Sequence, residues 1–62
     1  KTIYTICCND TVICAAKTLE KADSLLDFHS HECYEINKAY YRSYEDYRNL
    51  VYWKVRSVDF HE

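Results

Sequence analysis

Two histidines and a cysteine stand close together in the middle of the chain, where residues 29–33 read His-Ser-His-Glu-Cys. These side chains are metal ligands, and they could also supply a nucleophile and its base. On a helix, His29 and Cys33 share a face because they are four residues apart. Two ligands do not complete a structural zinc site, however, and no residue at a recognisable spacing would orient the imidazole or form an oxyanion hole. We therefore predict no catalytic site, no metal site and no cofactor.

The cysteine pattern favours free thiols. Cys7 and Cys8 are adjacent in a predicted strand, so their side chains point to opposite faces. Cys7 and Cys14 share a face of the predicted hairpin but are diagonal to each other, beyond the usual bridging distance. Cys33 could reach one of them, which allows one internal disulfide at most. Reduced cysteines are typical of a cytoplasmic protein. The alternative is a secreted, disulfide-containing peptide effector, in which residues 9–11 would form a glycosylation sequon.

Composition excludes several classes of function. The net charge is −2 and the pI about 5.9, so the chain lacks the basic surface that holds a nucleic-acid backbone. No apolar run approaches the length of about 20 residues that spans a bilayer, which argues against a membrane partner. Glycine is absent, and with it the loops that bind phosphate groups. With 62 residues, of which 48% are apolar, the chain forms a single small domain over residues 1–62.

The first part of the chain predicts a β-hairpin. Thr2–Cys8 and Thr11–Ala16 are rich in β-branched residues, and Asn9 and Asp10 between them tolerate the positive φ of a two-residue turn. Such a turn fixes the register of the two strands. The predicted pairs are Cys8 with Thr11, Cys7 with Val12, Ile6 with Ile13, and Thr5 with Cys14.

A long amphipathic helix and a third strand follow the hairpin. Thr18 is a plausible N-cap, and apolar residues recur every three or four positions over residues 19–49. A break near residues 28–31 or 42–43 would divide this region into two helices. Residues 51–58 alternate apolar with polar and predict a strand. The fold class is therefore α+β with ββαβ order, in which one helix lies on one face of a three-stranded antiparallel sheet and the last strand lies beside the first.

One helix covers one face of a sheet, so the other face must stay open. We place the helix on the face that carries Val12, Cys14 and Trp53. The opposite face then combines aromatic and aliphatic anchors with a basic rim, which is the composition of a protein interface. The alternative is that these are ordinary half-exposed sheet residues, since single exposed apolar side chains are normal. A slipped register would exchange the two sets. The predicted partner-binding residues are Tyr4, Ile6, Ile13, Tyr52, Lys54 and Arg56.

The tyrosines between Tyr34 and Tyr47 provide a second candidate contact surface. Tyrosine offers a large rigid contact area at low entropic cost. The alternative is that these rings pack against Trp53 as core and boundary residues.

The start of the helix carries a resemblance to a known group of proteins. Thr18, Glu20 and Ala22 match the Thr/Ser-x-Glu-x-Ala start that follows the second strand in many small phage-encoded and bacterial domains, which the chain resembles in outline. The chain departs from that pattern in its glycine-free turns and its tyrosine-rich helix. The resemblance implies a viral accessory protein of the host cytoplasm.

These lines lead to one functional prediction. We expect a non-catalytic protein-binding module, a phage-type inhibitor that blocks a functional surface of a larger host protein. The secreted peptide effector is the alternative, and a homodimer through the open sheet face is compatible with the first prediction.

Overall fold

The structure, a computed structural model, describes residues 1–59. It contains a three-stranded antiparallel sheet and two α-helices, which confirms the predicted α+β fold. The elements in chain order are β1 (Thr2–Cys8), β2 (Thr11–Ala16), α1 (Leu19–Asn37), a single turn of 3₁₀ helix (Lys38–Tyr40), α2 (Tyr44–Leu50) and β3 (Trp53–Asp59).

The predicted turn and N-cap are both confirmed. Asn9 and Asp10 have φ angles of 48° and 70°, as a two-residue turn between twisted strands requires. The side chain of Thr18 accepts a hydrogen bond of 3.1 Å from the backbone N–H of Lys21, which satisfies one of the free donors at the start of α1. The turn is also attached to the chain before β3, since Asn9 N–H donates to the Tyr52 carbonyl at 2.8 Å and Tyr52 N–H donates to Asn9 Oδ1 at 3.0 Å.

The helical region divides in two, as one of the predicted alternatives allowed. The second helix has its own N-cap at Ser43, whose hydroxyl accepts from the N–H of Asp46 at 3.1 Å. The Asp46 carboxylate in turn accepts from the N–H of Arg42 at 3.3 Å. This pair of hydrogen bonds satisfies donors that a continuous helix would have bonded internally.

A β-bulge changes the register of the hairpin. The sheet has the order β2-β1-β3, and the predicted pairs of Cys8 with Thr11 and Cys7 with Val12 are confirmed. The next two pairs were predicted wrongly, because the register shifts between Ile6 and Cys7. Ile6 pairs with Cys14 rather than Ile13, so Ile13 is an extra residue in β2. Thr5 accordingly pairs with Ala15.

The helices cover one face of the sheet, which we call the covered sheet face. Its core residues Ile6 and Trp53 are 0% and 5% exposed, and they pack with Ala22 of α1 and Tyr47 of α2. The small Ala22 lets α1 lie close to the strands. The strand residues of the covered sheet face are Tyr4, Ile6, Cys8, Cys14, Ala16, Trp53 and Val55.

This arrangement corrects the prediction for β1. Tyr4 and Ile6 were predicted on the open side, but they lie on the covered sheet face, and Ile6 has no exposed surface left for a partner. The physical reason is the pairing of β1 with both of its neighbours. Ile6 lies opposite Cys14 of β2 and Val55 of β3, and both of these side chains pack against the core under the helices. Val12 was predicted under the helix, and it lies on the open side because the extra residue Ile13 places Val12 and Cys14 on opposite faces of the sheet.

Candidate protein-binding surface

The side of the sheet away from the helices is a continuous surface, which we call the open sheet face. Cross-strand partners share a face, so the pairing of β1 with both neighbours assigns its members. Tyr52 joins them because the Lys54 ammonium lies over its ring, 5.4 Å from the centroid. The open sheet face consists of Ile3, Thr5, Cys7, Val12, Ala15, Tyr52, Lys54, Arg56 and Val58.

Apolar side chains on this face remain accessible to a partner. Val12 and Tyr52 are each 58% exposed, and Val58 is 36% exposed. Ile3 is half-buried at the same end of the sheet as Val58, its cross-strand partner. An antiparallel sheet with one solvated face usually places polar residues there, so this run of β-branched and aromatic residues is unusual for a surface without a partner.

The charges on the open sheet face are positive. The Lys54 Nζ atom lies 3.7 Å from Asp10 Oδ1 of the turn, so this lysine is already partly neutralised. Arg56 is exposed, and its guanidinium makes no ion pair with any of residues 1–59. A partner carboxylate could therefore bind Arg56 without displacing an existing contact.

Cys7 lies at the centre of this face but is not accessible. Its side chain is 1% exposed, because the flanking strands place Val12 and Lys54 on either side of it. Its sulfur lies 3.8 Å from the Thr5 hydroxyl. The thiol therefore forms part of the packed floor of the face and is not positioned as a nucleophile.

The structure distributes the six predicted contact residues over both sides of the sheet. Tyr52, Lys54 and Arg56 belong to the open sheet face, and Ile13 at the bulge is 44% exposed. Tyr4 and Ile6 do not belong to it, as described above. Sequence reasoning missed Val12, Ile3 and Val58. Ile3 and Val58 are cross-strand partners, so both could have been identified from the sequence if the side of the sheet that Ile3 faces had been known.

Four of the five tyrosines between Tyr34 and Tyr47 pack internally, which favours the packing alternative over the contact surface, whereas Tyr40 is 82% exposed. Trp53 Nε1–H donates a 3.1 Å hydrogen bond to the Tyr47 hydroxyl, and the Tyr47 ring lies 5.0 Å from that of Tyr41. Arg48 Nη1–H donates to the Tyr44 hydroxyl at 2.8 Å, which in turn lies 2.7 Å from the buried Ser30 hydroxyl. These phenols serve to attach α2 to α1 and to the sheet.

The segment of residues 29–33 is also used for packing. The His31 ring stacks on Tyr44 with centroids 3.8 Å apart, and its Nδ1 atom lies 2.7 Å from the Asp27 carbonyl oxygen. His29 contacts the edge of Phe28. Within the described part of the chain, no three His, Cys, Asp or Glu side chains are grouped so as to hold a metal ion.

All four cysteines are free thiols. Burial raises the pKa of Cys8, and the nearby Cys33 thiol raises it further. A raised pKa keeps the sulfur protonated and poorly nucleophilic. Cys7 is buried, and Cys8, Cys14 and Cys33 pack against the core cluster, so the thiols contribute to packing as small apolar side chains do.

A second exposed surface lies on α1, on the side away from the sheet, and we call it the outer helix face. It borders a shallow groove of about 580 Å³. Phe28 and Ile36 are 55% and 80% exposed there. Its charged residues, Asp27, Glu32 and Glu35, are acidic. The outer helix face consists of Ser24, Asp27, Phe28, His31, Glu32, Glu35 and Ile36.

Comparisons of this chain with protein-family models, with curated proteins and with solved structures find no match. Within the residues that the structure describes, neither α1 nor α2 combines the length and the apolar character that a membrane-crossing helix needs.

Proposed function

We propose that this chain is a non-catalytic protein-binding module that covers a functional surface of a larger protein with its open sheet face. The observation that carries the proposal is the exposure of Tyr52 and Val12, 58% each, on a sheet face that no element of residues 1–59 covers. Aromatic and aliphatic anchors of this kind supply most of the binding energy in protein interfaces.

Charge specifies the chemistry of the partner surface. Arg56 is exposed and makes no ion pair within residues 1–59, while Lys54 extends the positive region along β3. Guanidinium groups bind carboxylates through two parallel hydrogen bonds. The partner surface is therefore apolar where it meets Tyr52 and Val12, and acidic where it faces Arg56.

The mode of action we propose is steric. The thiol and imidazole groups that catalysis could use are engaged in packing instead, since Cys7 is buried and His31 stacks on Tyr44. A phage-type inhibitor of a host protein acts in this way, by occupying a surface that the host protein needs. Four free thiols support a cytoplasmic location for that encounter.

Affinity capture with matched tyrosine variants tests this proposal. Tyr52→Ala removes an exposed tyrosine from the open sheet face, and Tyr40→Ala removes one that is 82% exposed and lies in the 3₁₀ turn. We expect the partner retained by the wild type to bind Tyr40→Ala equally and Tyr52→Ala about 5- to 150-fold more weakly, as for loss of a hot spot of about 1–3 kcal/mol. Equal retention by all three proteins, each with unchanged thermal unfolding, would show that the open sheet face is not the binding surface.

A further inference from the structure

We infer that the open sheet face also binds a second copy of this chain, which docks through its outer helix face. The contact is heterologous, because each copy contributes a different surface. This self-association does not depend on the proposed function, because the molecule that docks is a second copy of the chain rather than a larger partner. Both contacts would use the open sheet face.

The placement of the two surfaces permits this contact. Since α1 packs on the covered sheet face, its outer side and the open sheet face point in opposite directions from the two-layer molecule. Residues 24–36 of α1 span roughly 18 Å at about 1.5 Å per residue. The seven residues of β3 span roughly 20 Å at about 3.4 Å per step. A docked copy would therefore place the helix of one molecule between two sheets.

The apolar residues of the two surfaces are complementary in position. Phe28 and Ile36 lie two helical turns apart and project from α1 between acidic residues. On the open sheet face, Val12, Tyr52 and Val58 are the exposed large apolar side chains. Docking would remove both sets from water and bury the unusual apolar part of the sheet.

Charge decides which arrangement of two copies is favourable. Glu32 makes no ion pair with any of residues 1–59, and the same holds for Arg56. Glu35 and Asp27 add negative charge beside Glu32, even though Lys38 Nζ lies 3.2 Å from Glu35 Oε2 and His31 Nδ1 lies 3.5 Å from Asp27 Oδ1. Docking helix on sheet therefore brings opposite charges together.

Each of the two symmetric arrangements would bring like charges together. Sheet against sheet brings together two surfaces that carry Lys54 and Arg56, and helix against helix brings together two acidic surfaces. Like charges across an interface are unfavourable, so the heterologous contact is preferred. Because each copy keeps one surface free, such a contact continues into a ring or an open stack rather than stopping at a dimer.

Sedimentation velocity of the full chain at low salt tests the inference. The wild type should grow beyond a dimer as its concentration rises towards about 1 mM, the range of weak association. Phe28→Ser/Ile36→Ser blocks the helix surface, and Val12→Ser/Tyr52→Ser blocks the sheet surface. Each blocked variant should be monomeric alone. An equimolar mixture should form dimers that do not grow, because each variant retains the surface that the other lacks. Tyr40→Ser should assemble like the wild type.

Charge variants give a second test that leaves the apolar residues in place. Glu32→Arg and Arg56→Glu should each weaken assembly at least about tenfold at low salt, where exposed charges are least screened. The double variant Glu32→Arg/Arg56→Glu should regain most of the loss, because every contact again pairs opposite charges. Because the charge variants keep every apolar side chain, they still test the contact between copies when one of the blocked variants fails to fold.

Three results would overturn the inference. One is a wild type that stays monomeric throughout the concentration range. Another is a mixture of the two blocked variants that forms no dimer. The third is assembly that ends at a dimer and depends on one surface alone, which would indicate a symmetric contact. None of these results would contradict the binding of a larger partner, which the capture experiment tests separately.

Discussion

The two faces of the sheet differ in how they use similar residue types. On the covered sheet face, the large side chains of Ile6 and Trp53 are at most 5% exposed and fit against α1 and α2. On the open sheet face, β1 contributes Ile3, Thr5 and Cys7, while Tyr52 is 58% exposed at one end. Both faces are apolar enough to be buried, but a chain of 62 residues supplies one covering layer. The difference indicates that the covered face maintains the fold and the open face is available for association.

Truncation of one isoleucine on each side of β1 should separate the faces most strongly. Ile6→Ala removes a fully buried side chain, and we expect it to lower the free energy of unfolding by about 2–5 kcal/mol. Ile3→Ala shortens a half-buried residue of the same type on the open side and should cost about 1 kcal/mol or less. Urea unfolding followed by circular dichroism measures both. Equal losses would mean that the open face is packed as tightly as the covered one.

Removal of one hydroxyl from each side should give a smaller difference in the same direction. Tyr47→Phe removes the acceptor of the 3.1 Å hydrogen bond from Trp53 Nε1–H and leaves that donor in the core without a partner. We expect a loss of about 1–3 kcal/mol in unfolding free energy. Tyr52→Phe, on the open face, should change stability by about 0.5 kcal/mol or less. A Tyr47→Phe protein as stable as the wild type would show that the hydrogen bond makes no net contribution.

The sequence predicts most of the fold because local signals specify it. The hairpin turn at Asn9 and Asp10, the cap at Thr18 and the alternation of β3 all depend on nearby residues. The start of α2 also had such a signal, since Ser43 and Asp46 have the spacing of a capping pair. That signal would have located the second helix.

The candidate surface was predictable only in part, for a physical reason. Alternation alone placed Tyr52, Lys54 and Arg56 on one side. The phase of β1 depends on the bulge at Ile13, and nothing in the run Thr11–Ala16 marks that position, because a bulge of this kind needs no glycine. A single extra residue in β2 moved Val12 to the other face relative to Cys14. Long-range packing, here the burial of Ile6 against α1, determines the register that the local sequence leaves open.

Alkaline pH should weaken the covered side through its buried acids, and this is the smallest effect that we expect. Burial and the neighbouring Cys33 raise the pKa of Cys8 in the folded chain. Burial also raises the pKa of Tyr47, although the hydrogen bond from Trp53 lowers it in part. Unfolded thiols and phenols ionise near pH 8.5 and 10. The unfolded chain therefore releases these protons first, so a contribution to stability that is fully present at neutral pH is lost as the pH rises above about 8.5.

Cys8→Ser isolates the thiol part of this pH dependence. The variant lacks the group that ionises first, so its unfolding free energy should fall less between about pH 8.5 and 10 than that of the wild type. Above about pH 10, both proteins should also lose the contribution of Tyr47, which is present in each. Urea unfolding at a series of pH values from neutral to about 11 measures the two curves, each normalised to its own value at neutral pH. Curves that coincide between pH 8.5 and 10 would mean that Cys8 ionises as easily in the folded chain as in the unfolded one. Its environment would then resemble that of the open side, and the contrast between the two faces would not extend to this end of β1.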